Sequence, residues 1–121
     1  CYKVDGNLKK LQRRDIKTIM QATKECFAYL KSTGIEVMPK GEDKFYNGGI
    51  KTYAMFLLYR IMSKTILGQL MVADHCKNGI KEMIYIHKNF EEWRLQHKSI
   101  QMPTWDKISQ YMPTDIDDIH C

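Results

Sequence analysis

The chain has 121 residues, a size typical of one compact domain, and its 44% hydrophobic and 27% charged residues are ordinary globular usage that argues against wholesale disorder. The longest unbroken apolar run, Ala54 to Tyr59, has six residues against the roughly 20 of a membrane helix, so no transmembrane segment is predicted. The net charge of +5 is concentrated in residues 1–40 and suggests a surface for nucleic acid, anionic lipid, heparin-like polysaccharide or an acidic protein patch.

A first helix is predicted from residue 8 to residue 32. Its apolar residues recur mostly three or four positions apart, which is the spacing of one helical face. Gly34 follows as a stop signal at the C-terminal end. The opposite face is basic.

This basic face is a candidate partner-binding surface. Spacings of three and four residues bring four cations close together on the predicted helix: Lys10, Arg13, Arg14 and Lys17. The simpler interpretation is the solvated face of an amphipathic helix. The functional interpretation is an electrostatic docking surface, which would act mainly on association rate and specificity and would weaken with salt.

Residues 34–49 are predicted to form a loop, because they contain Pro39, Gly41 and an Asn-Gly-Gly triplet. The segment Val37–Tyr46 within this loop is the second candidate binding surface, and the alternative is that it packs over a helix end. Its possible anchors for a partner are Met38, Phe45 and Tyr46.

The most apolar stretch follows, from residue 50 to about residue 75. Few polar residues interrupt its first half, so the pattern predicts a central helix that is buried on more than one side. Gly68 would either kink this helix or allow close packing against it.

Two further helices are predicted in the last third of the chain. The first covers residues 80–98, with His87 on its apolar stripe, where a hydrogen-bonded core histidine is the simpler interpretation and a metal or proton-switch role the alternative. The second is a short helix between Pro103 and Pro113, with Thr104 as the expected N-cap residue.

A last helical turn is predicted after Pro113, because Thr114-x-x-Asp117 resembles a capping box. No long β-alternation and no internal repeat is present in the sequence. The predicted fold is therefore all-α, a compact bundle of four to five helices that forms a single domain over residues 1–121.

The cysteines add a covalent constraint, because they lie far apart, at Cys1, Cys26, Cys76 and Cys121. This spacing excludes a CxxC redox motif and a paired-CxxC zinc site. An even count with one cysteine at each end predicts two disulfides in an oxidising compartment. A chain that starts at cysteine is also typical of a secreted protein after signal-peptide removal, although an excised fragment would look the same. We expect a secreted, disulfide-stapled bundle.

The predicted helix lengths constrain the pairing. If the first helix runs up and residues 50–77 run down as one rod, Cys26 and Cys76 lie roughly 30 Å apart at about 1.5 Å per residue. A bridge needs Cα atoms within about 4.4–6.8 Å, which would exclude this pair. The favoured set is 1–76 with 26–121, and the alternative is 1–26 with 76–121. A sharp break at Gly68 would invalidate the argument.

Residues that could perform catalysis are few. Motifs of zinc metalloproteases, serine hydrolases, P-loop proteins and dinucleotide-binding proteins are absent from the sequence. Asp74-His75-Cys76 has triad-like residue types, but adjacent residues on a helix point about 100° apart and cannot converge on one substrate atom. We expect a protein that is not an enzyme and that uses neither a cofactor nor a metal.

This combination of small size, basicity, helical pattern and four widely spread cysteines resembles the anopheline mosquito salivary gland protein seven family. The resemblance implies an injected protein of saliva, extracellular in location, that blocks host defence by binding. It implies host plasma proteins as partners, either components of the C3 convertase of the alternative complement pathway or proteins of the contact system. We expect no nucleic acid partner and no membrane insertion, and the oligomeric state is left open.

Two other classes remain open from the sequence. A helical carrier of a small hydrophobic ligand, similar to odorant-binding proteins, would also be secreted, but that family has six cysteines including a Cys-x-x-x-Cys pair that this chain lacks. A short-chain four-helix cytokine has a similar length, but its long crossover loops have only one counterpart here, residues 34–49.

Overall fold

A computed structural model describes residues 2–97 and 100–114 of the chain, and this part is helical, without β-strands. Three short 3₁₀ helices are present, at Tyr2–Val4, Leu8–Lys10 and Glu42–Tyr46. The described residues contain five longer helices: α1 (Arg13–Ser32), α2 (Gly49–Ser63), α3 (Ile66–Asn78), α4 (Ile80–Gln96) and α5 (Pro103–Ser109). The all-α prediction and its four to five helices are confirmed.

The described residues form two compact units. The first unit contains residues 2–11, 61–97 and 111–114, and the second unit contains residues 12–60 and 100–110. No single helix in the described ranges is long and apolar enough to cross a membrane, although α2 and α3, separated by a bend, pass a test of length and composition as a pair.

The core of the first unit joins the N-terminal turns to α3. Val4, Leu8 and Leu11 are buried together with Ala73. Lys64 Nζ donates hydrogen bonds to the carbonyl oxygens of Lys9 and, at 3.1 Å, of Leu11. These contacts hold the 3₁₀ turn Leu8–Lys10 in place before α1 begins.

The predicted first helix starts five residues too early, because α1 begins at Arg13. Leu11 and Gln12 have extended backbone conformations, with ψ of 130° and 168°, which separates the 3₁₀ turn from α1. The α1 start is fixed by Asp15, whose Oδ2 accepts a hydrogen bond from the Gln12 backbone N–H at 2.8 Å.

The predicted helix over residues 50–75 is also broken. Thr65 has an extended conformation, with ψ of 159°, and caps α3 by accepting a hydrogen bond from the Gly68 N–H at 3.4 Å. Its hydroxyl also donates to the Met62 carbonyl oxygen at 3.0 Å. Because residues 50–77 are not one rod, the geometric argument that excluded a 26–76 disulfide loses its premise. Residues 69–73 of α3 form a π-helical turn.

The structure gives no support to the disulfide staples. Cys26 and Cys76 are not joined to each other or to any other cysteine in the part of the chain that is described. Cys1 and Cys121 lie outside the described residues, and both favoured pairs include one of them. The Thr114-x-x-Asp117 turn also extends outside the described residues.

The second unit is built around α1. Its amphipathic face buries Ile16 and Met20 against Tyr46 and Phe56, and α1 also packs on α5 and on the 3₁₀ helix Glu42–Tyr46. Partly buried side chains surround this cluster: Phe27, Phe45, Met55 and Tyr59. Burial of this apolar stripe is the main force that holds the second unit together.

The helix α5 is capped by a residue of α1 rather than by Thr104. The two Glu25 carboxylate oxygens accept hydrogen bonds from the backbone N–H groups of Thr104 at 3.1 Å and Trp105 at 2.8 Å. The helix starts one residue before Thr104, at Pro103, so the predicted N-cap is wrong. Proline is favoured at this position because it has no N–H that needs a partner.

Candidate partner-binding cleft

One cleft in the second unit gathers several residues that the sequence pointed to. Its volume is about 480 Å³, and α1, the 3₁₀ helix Glu42–Tyr46 and the start of α2 form its walls. Side chains that line it include Arg13, Lys17, Met20, Tyr46, Tyr53 and Phe56. We call it the basic cleft.

The cations of the basic cleft come from the first two turns of α1. Arg13 and Lys17 are four residues apart, which places them on the same helical face, and both side chains are exposed. Within residues 2–97 and 100–114, no carboxylate forms an ion pair with either of them. Lys17 Nζ instead lies 5.9 Å from the centre of the Phe56 ring, at cation–π distance.

Three carboxylates of the second unit are engaged elsewhere, whereas the Glu42 carboxylate is close enough to act electrostatically on the Tyr46 hydroxyl. Asp15 caps α1, Glu25 caps α5, and Asp43 forms an ion pair with Lys31. The Lys31 ammonium beside Asp43 holds the pKa of that carboxyl below its usual value. The residues that line the basic cleft include no Asp, Glu, His or Cys. Positive charge in the cleft is therefore not offset by its own walls.

Tyr46 is an ordered part of the cleft rather than a mobile anchor. Its hydroxyl lies 2.8 Å from the Tyr59 hydroxyl, and its ring centre lies 5.6 Å from that of Phe27. Burial and the hydrogen bond with Tyr59 raise the pKa of Tyr46 above its usual range, so it stays neutral. It presents a rigid aromatic surface to whatever occupies the cleft.

The glycine pair before α2 shapes the cleft opposite α1. Gly48 and Gly49 have φ of 100° and 80°, a region that favours glycine. The Gly48 N–H donates to Thr52 Oγ1 at 2.7 Å, which fixes the start of α2. This turn directs Thr52, Tyr53 and Phe56 of α2 toward the cleft.

The structure brings together three of the seven predicted binding residues, Arg13, Lys17 and Tyr46. Lys10 belongs to the first unit, and Arg14 is exposed but does not line the cleft. Two of the four cations of the basic run therefore line the cleft.

The other two predicted anchors lie away from the basic cleft. The Met38 residue is 71% exposed in the loop before the 3₁₀ helix Glu42–Tyr46. Phe45 packs beside the core of the second unit, with Lys51 Nζ 5.7 Å from its ring centre.

Sequence reasoning missed the contribution of α2 to the cleft. Thr52, Tyr53 and Phe56 were assigned to a helix buried on several sides, because the surrounding sequence is so apolar. The signal that could have located them is the Gly-Gly pair just before the helix, which allows the chain to turn sharply back toward α1.

The chemistry of the basic cleft suits a ligand that combines negative charge with apolar surface. Arg13 and Lys17 offer donors to a carboxylate, sulfate or phosphate group, and Met20, Tyr53 and Phe56 offer apolar contact. The described residues contain no cluster of three or more His, Cys, Asp or Glu side chains that could hold a metal ion. Comparison with protein-family models, with curated proteins and with solved structures finds no match to this chain.

Proposed function

We propose that this chain is a non-enzymatic binding protein that docks an acidic segment of a partner protein in the basic cleft. The observation that carries the proposal is the meeting of Arg13 and Lys17 with the aromatic surface of Tyr46, in a cleft whose walls include no carboxylate. A partner carboxylate can reach both cations, and an adjacent apolar side chain can pack on Phe56 or Tyr53.

The partner chemistry follows from this arrangement. An acidic partner would be steered by the uncompensated cations, which raises the association rate and makes it sensitive to salt. The fixed aromatic floor would then supply contact area without the loss of much side-chain freedom, because Tyr46 is already held by Tyr59.

For the identity of the partner we propose the C3 convertase of the alternative complement pathway, with contact-system proteins as the second choice. This part of the proposal rests on the resemblance to salivary inhibitors, and secretion into saliva belongs to it. An inhibitor that acts by occupying a surface needs no catalytic residues, and the residues that line the basic cleft include no Asp, Glu, His, Cys or Ser.

We also propose that two disulfides, 1–76 and 26–121, close the secreted form. These pairs are proposed from the even cysteine count and the widely spread positions of the four cysteines.

The test is lysis of rabbit erythrocytes in human serum with magnesium and EGTA, across a titration of the protein. We expect inhibition by the wild type and at least a tenfold rise in the half-inhibitory concentration for Arg13→Glu/Lys17→Glu, because each cation at a desolvated contact contributes about 1 kcal/mol or more. The matched control is Lys24→Glu/Lys40→Glu, which makes the same charge change at exposed residues of the second unit outside the cleft.

The wild type and the two double variants together distinguish binding in the cleft from a general effect of net charge. Equal weakening by both double variants would mean that net charge, rather than the cleft, drives binding. A wild type that does not inhibit lysis would remove the complement convertase as partner, and a contact-pathway assay with the same three proteins would then test the second choice.

A second candidate function is carriage of a small amphipathic acid. The cleft volume of about 480 Å³ lies within the range of roughly 300–1,000 Å³ typical of small-ligand sites, and its lining combines cations with apolar rings. A fluorescent fatty acid should then bind with a dissociation constant that rises at least tenfold in Arg13→Glu/Lys17→Glu. An unchanged or undetectable signal would exclude the carrier.

A further inference from the structure

The helix α2 carries an apolar surface that the second unit does not cover. The exposed fractions are 88% for Ile50, 63% for Tyr53 and 50% for Leu58, and Leu57 is 39% exposed. Side chains of this size are normally exposed singly rather than in a row along one helix. A row of this kind is typical of a surface that contacts another molecule.

The exposed residues form one continuous face. At about 100° per residue, Ile50, Tyr53, Ala54, Leu57 and Leu58 occupy an arc of roughly 140° on α2. The opposite side of the helix carries Met55, Phe56 and Tyr59, which pack in the core of the second unit. The exposed arc is thus separate from the residues that hold the helix in place.

Both edges of this apolar face are basic. Lys51 follows Leu58 around the helix on one edge, and Arg60 precedes Tyr53 on the other, from the same 100° spacing. Lys51 is exposed and Arg60 is half-buried. No Asp or Glu occurs anywhere from Lys44 to Ala73, so nothing on α2 would repel a negatively charged surface.

We propose that the second unit adsorbs to anionic phospholipid membranes through this face of α2. The apolar side chains would enter the boundary between headgroups and acyl chains, while Lys51 and Arg60 reach lipid phosphates from the two edges. A tyrosine at the edge of the face fits the amphipathic headgroup region. This is adsorption at one leaflet and involves no span of the bilayer.

A membrane fits this face better than a second copy of the chain. Two copies that pack through α2 would bring two basic edges together, and α2 itself carries no Asp or Glu that could form ion pairs across such an interface. An anionic bilayer supplies an apolar interior for the exposed side chains and negative charge for the basic edges. The inference goes beyond the basic cleft, because it concerns a different class of ligand and, apart from Tyr53, which also lines the cleft, different residues.

The test is co-sedimentation of the full chain with phosphatidylcholine vesicles and with vesicles that contain about 30% phosphatidylserine, at low and high salt. We expect binding to the anionic vesicles that weakens with salt. Ile50→Ser/Leu58→Ser should reduce the partition coefficient at least tenfold, because two large apolar side chains no longer enter the bilayer. Both residues are exposed, so the fold should persist, and circular dichroism checks it.

The matched control is Ile86→Ser/Leu95→Ser on α4, where the two residues are 52% and 69% exposed and lie outside the α2 face. It should bind vesicles as the wild type does. Equal loss in both variants, equal binding to neutral and anionic vesicles, or no vesicle binding would each overturn the proposal. A dimer in sedimentation velocity that only Ile50→Ser/Leu58→Ser dissociates would assign the face to a second copy instead.

Discussion

At the scale of single residues, Gly68 is in close contact with the chain just before it. A Cβ atom placed on Gly68 would lie 2.0 Å from the Met62 carbonyl oxygen, which is far inside van der Waals contact. The sequence left open whether this glycine kinks a helix or allows close packing. The structure shows close packing, and the helix break lies at Thr65 instead.

Substitution of Gly68 should therefore be costly. We expect Gly68→Ala to lower the free energy of unfolding by at least about 1–3 kcal/mol, the usual cost of forcing extra volume into a packed site. Urea denaturation followed by circular dichroism measures this change. Gly79→Ala is the control, because its Cβ would meet the His75 carbonyl oxygen at 3.1 Å and a small shift would relieve it. A Gly68→Ala loss no larger than that of the control would contradict the close contact.

The ion pair between Lys31 and Asp43 makes a pH-dependent contribution. Because the folded protein lowers the pKa of Asp43, this contribution is present above the unfolded pKa of about 3.9 and is lost as pH falls through the folded pKa. We expect Asp43→Asn to destabilise the protein at pH 7 and to differ less from the wild type near pH 2.5. Urea denaturation at both pH values tests this, with the exposed Glu36→Gln as control. A difference that is the same at both pH values would refute the prediction.

At the scale of elements, the short helix α5 depends on α1 for its start. Seven residues are too few for a stable isolated helix, and Met102 before it supplies no side-chain cap. The Glu25 carboxylate takes that role from a distance of 79 residues in sequence. Tertiary capping of this kind is invisible to local sequence patterns, which is why Thr104 was predicted instead.

Loss of this cap should release α5. We expect Glu25→Ala to lower the free energy of unfolding by about 1.5–3 kcal/mol, the range for hydrogen bonds to a charged group, and Glu25→Gln to lower it by less because one acceptor remains. Amide hydrogen exchange should show faster exchange at Thr104 and Trp105. Glu36→Ala, at an exposed position of the same unit, should leave that exchange unchanged. Unchanged protection of these amides in Glu25→Ala would show that Glu25 does not stabilise the start of α5.

The apolar character of α2 was predicted correctly but its burial was not. Periodicity requires two contrasting faces, and α2 is apolar on nearly all sides, so the sequence could not tell which side meets the core. Met55, Phe56 and Tyr59 pack in the core of the second unit, whereas Ile50 and Leu58 are exposed.

At the scale of the whole molecule, the proposed secreted form can be tested by asking whether its four cysteines form two disulfides. Mass spectrometry of the protein from an oxidising expression host, alkylated without reduction, should show no labelled cysteine. Tryptic digestion should yield one disulfide-linked peptide pair that joins Cys1 to Cys76 and another that joins Cys26 to Cys121. Alkylation of all four cysteines would show that the two disulfides are absent. A peptide pair that joins Cys1 to Cys26 would favour the alternative pairing. A reduced and alkylated sample is the control for complete labelling.

The candidate site was predicted in part for an identifiable reason. Helical spacing placed Arg13 and Lys17 on one face, because that relation is local. The sequence could not separate them from Lys10 and Arg14, since the choice depends on Phe56 and Tyr46, which lie far along the chain.

The sequence by itself determined the helical class, the approximate helix positions, the basic character of α1 and the loop before α2. These follow from spacings, glycines and prolines within a few residues of each other. Only the tertiary structure decided the break at Thr65, the exposed face of α2, the cap from Glu25 and the membership of the basic cleft. The last three depend on contacts between distant segments, whose free energies no local pattern encodes. The break at Thr65 combines local capping with the long-range hydrogen bonds of Lys64 to the carbonyl oxygens of Lys9 and Leu11.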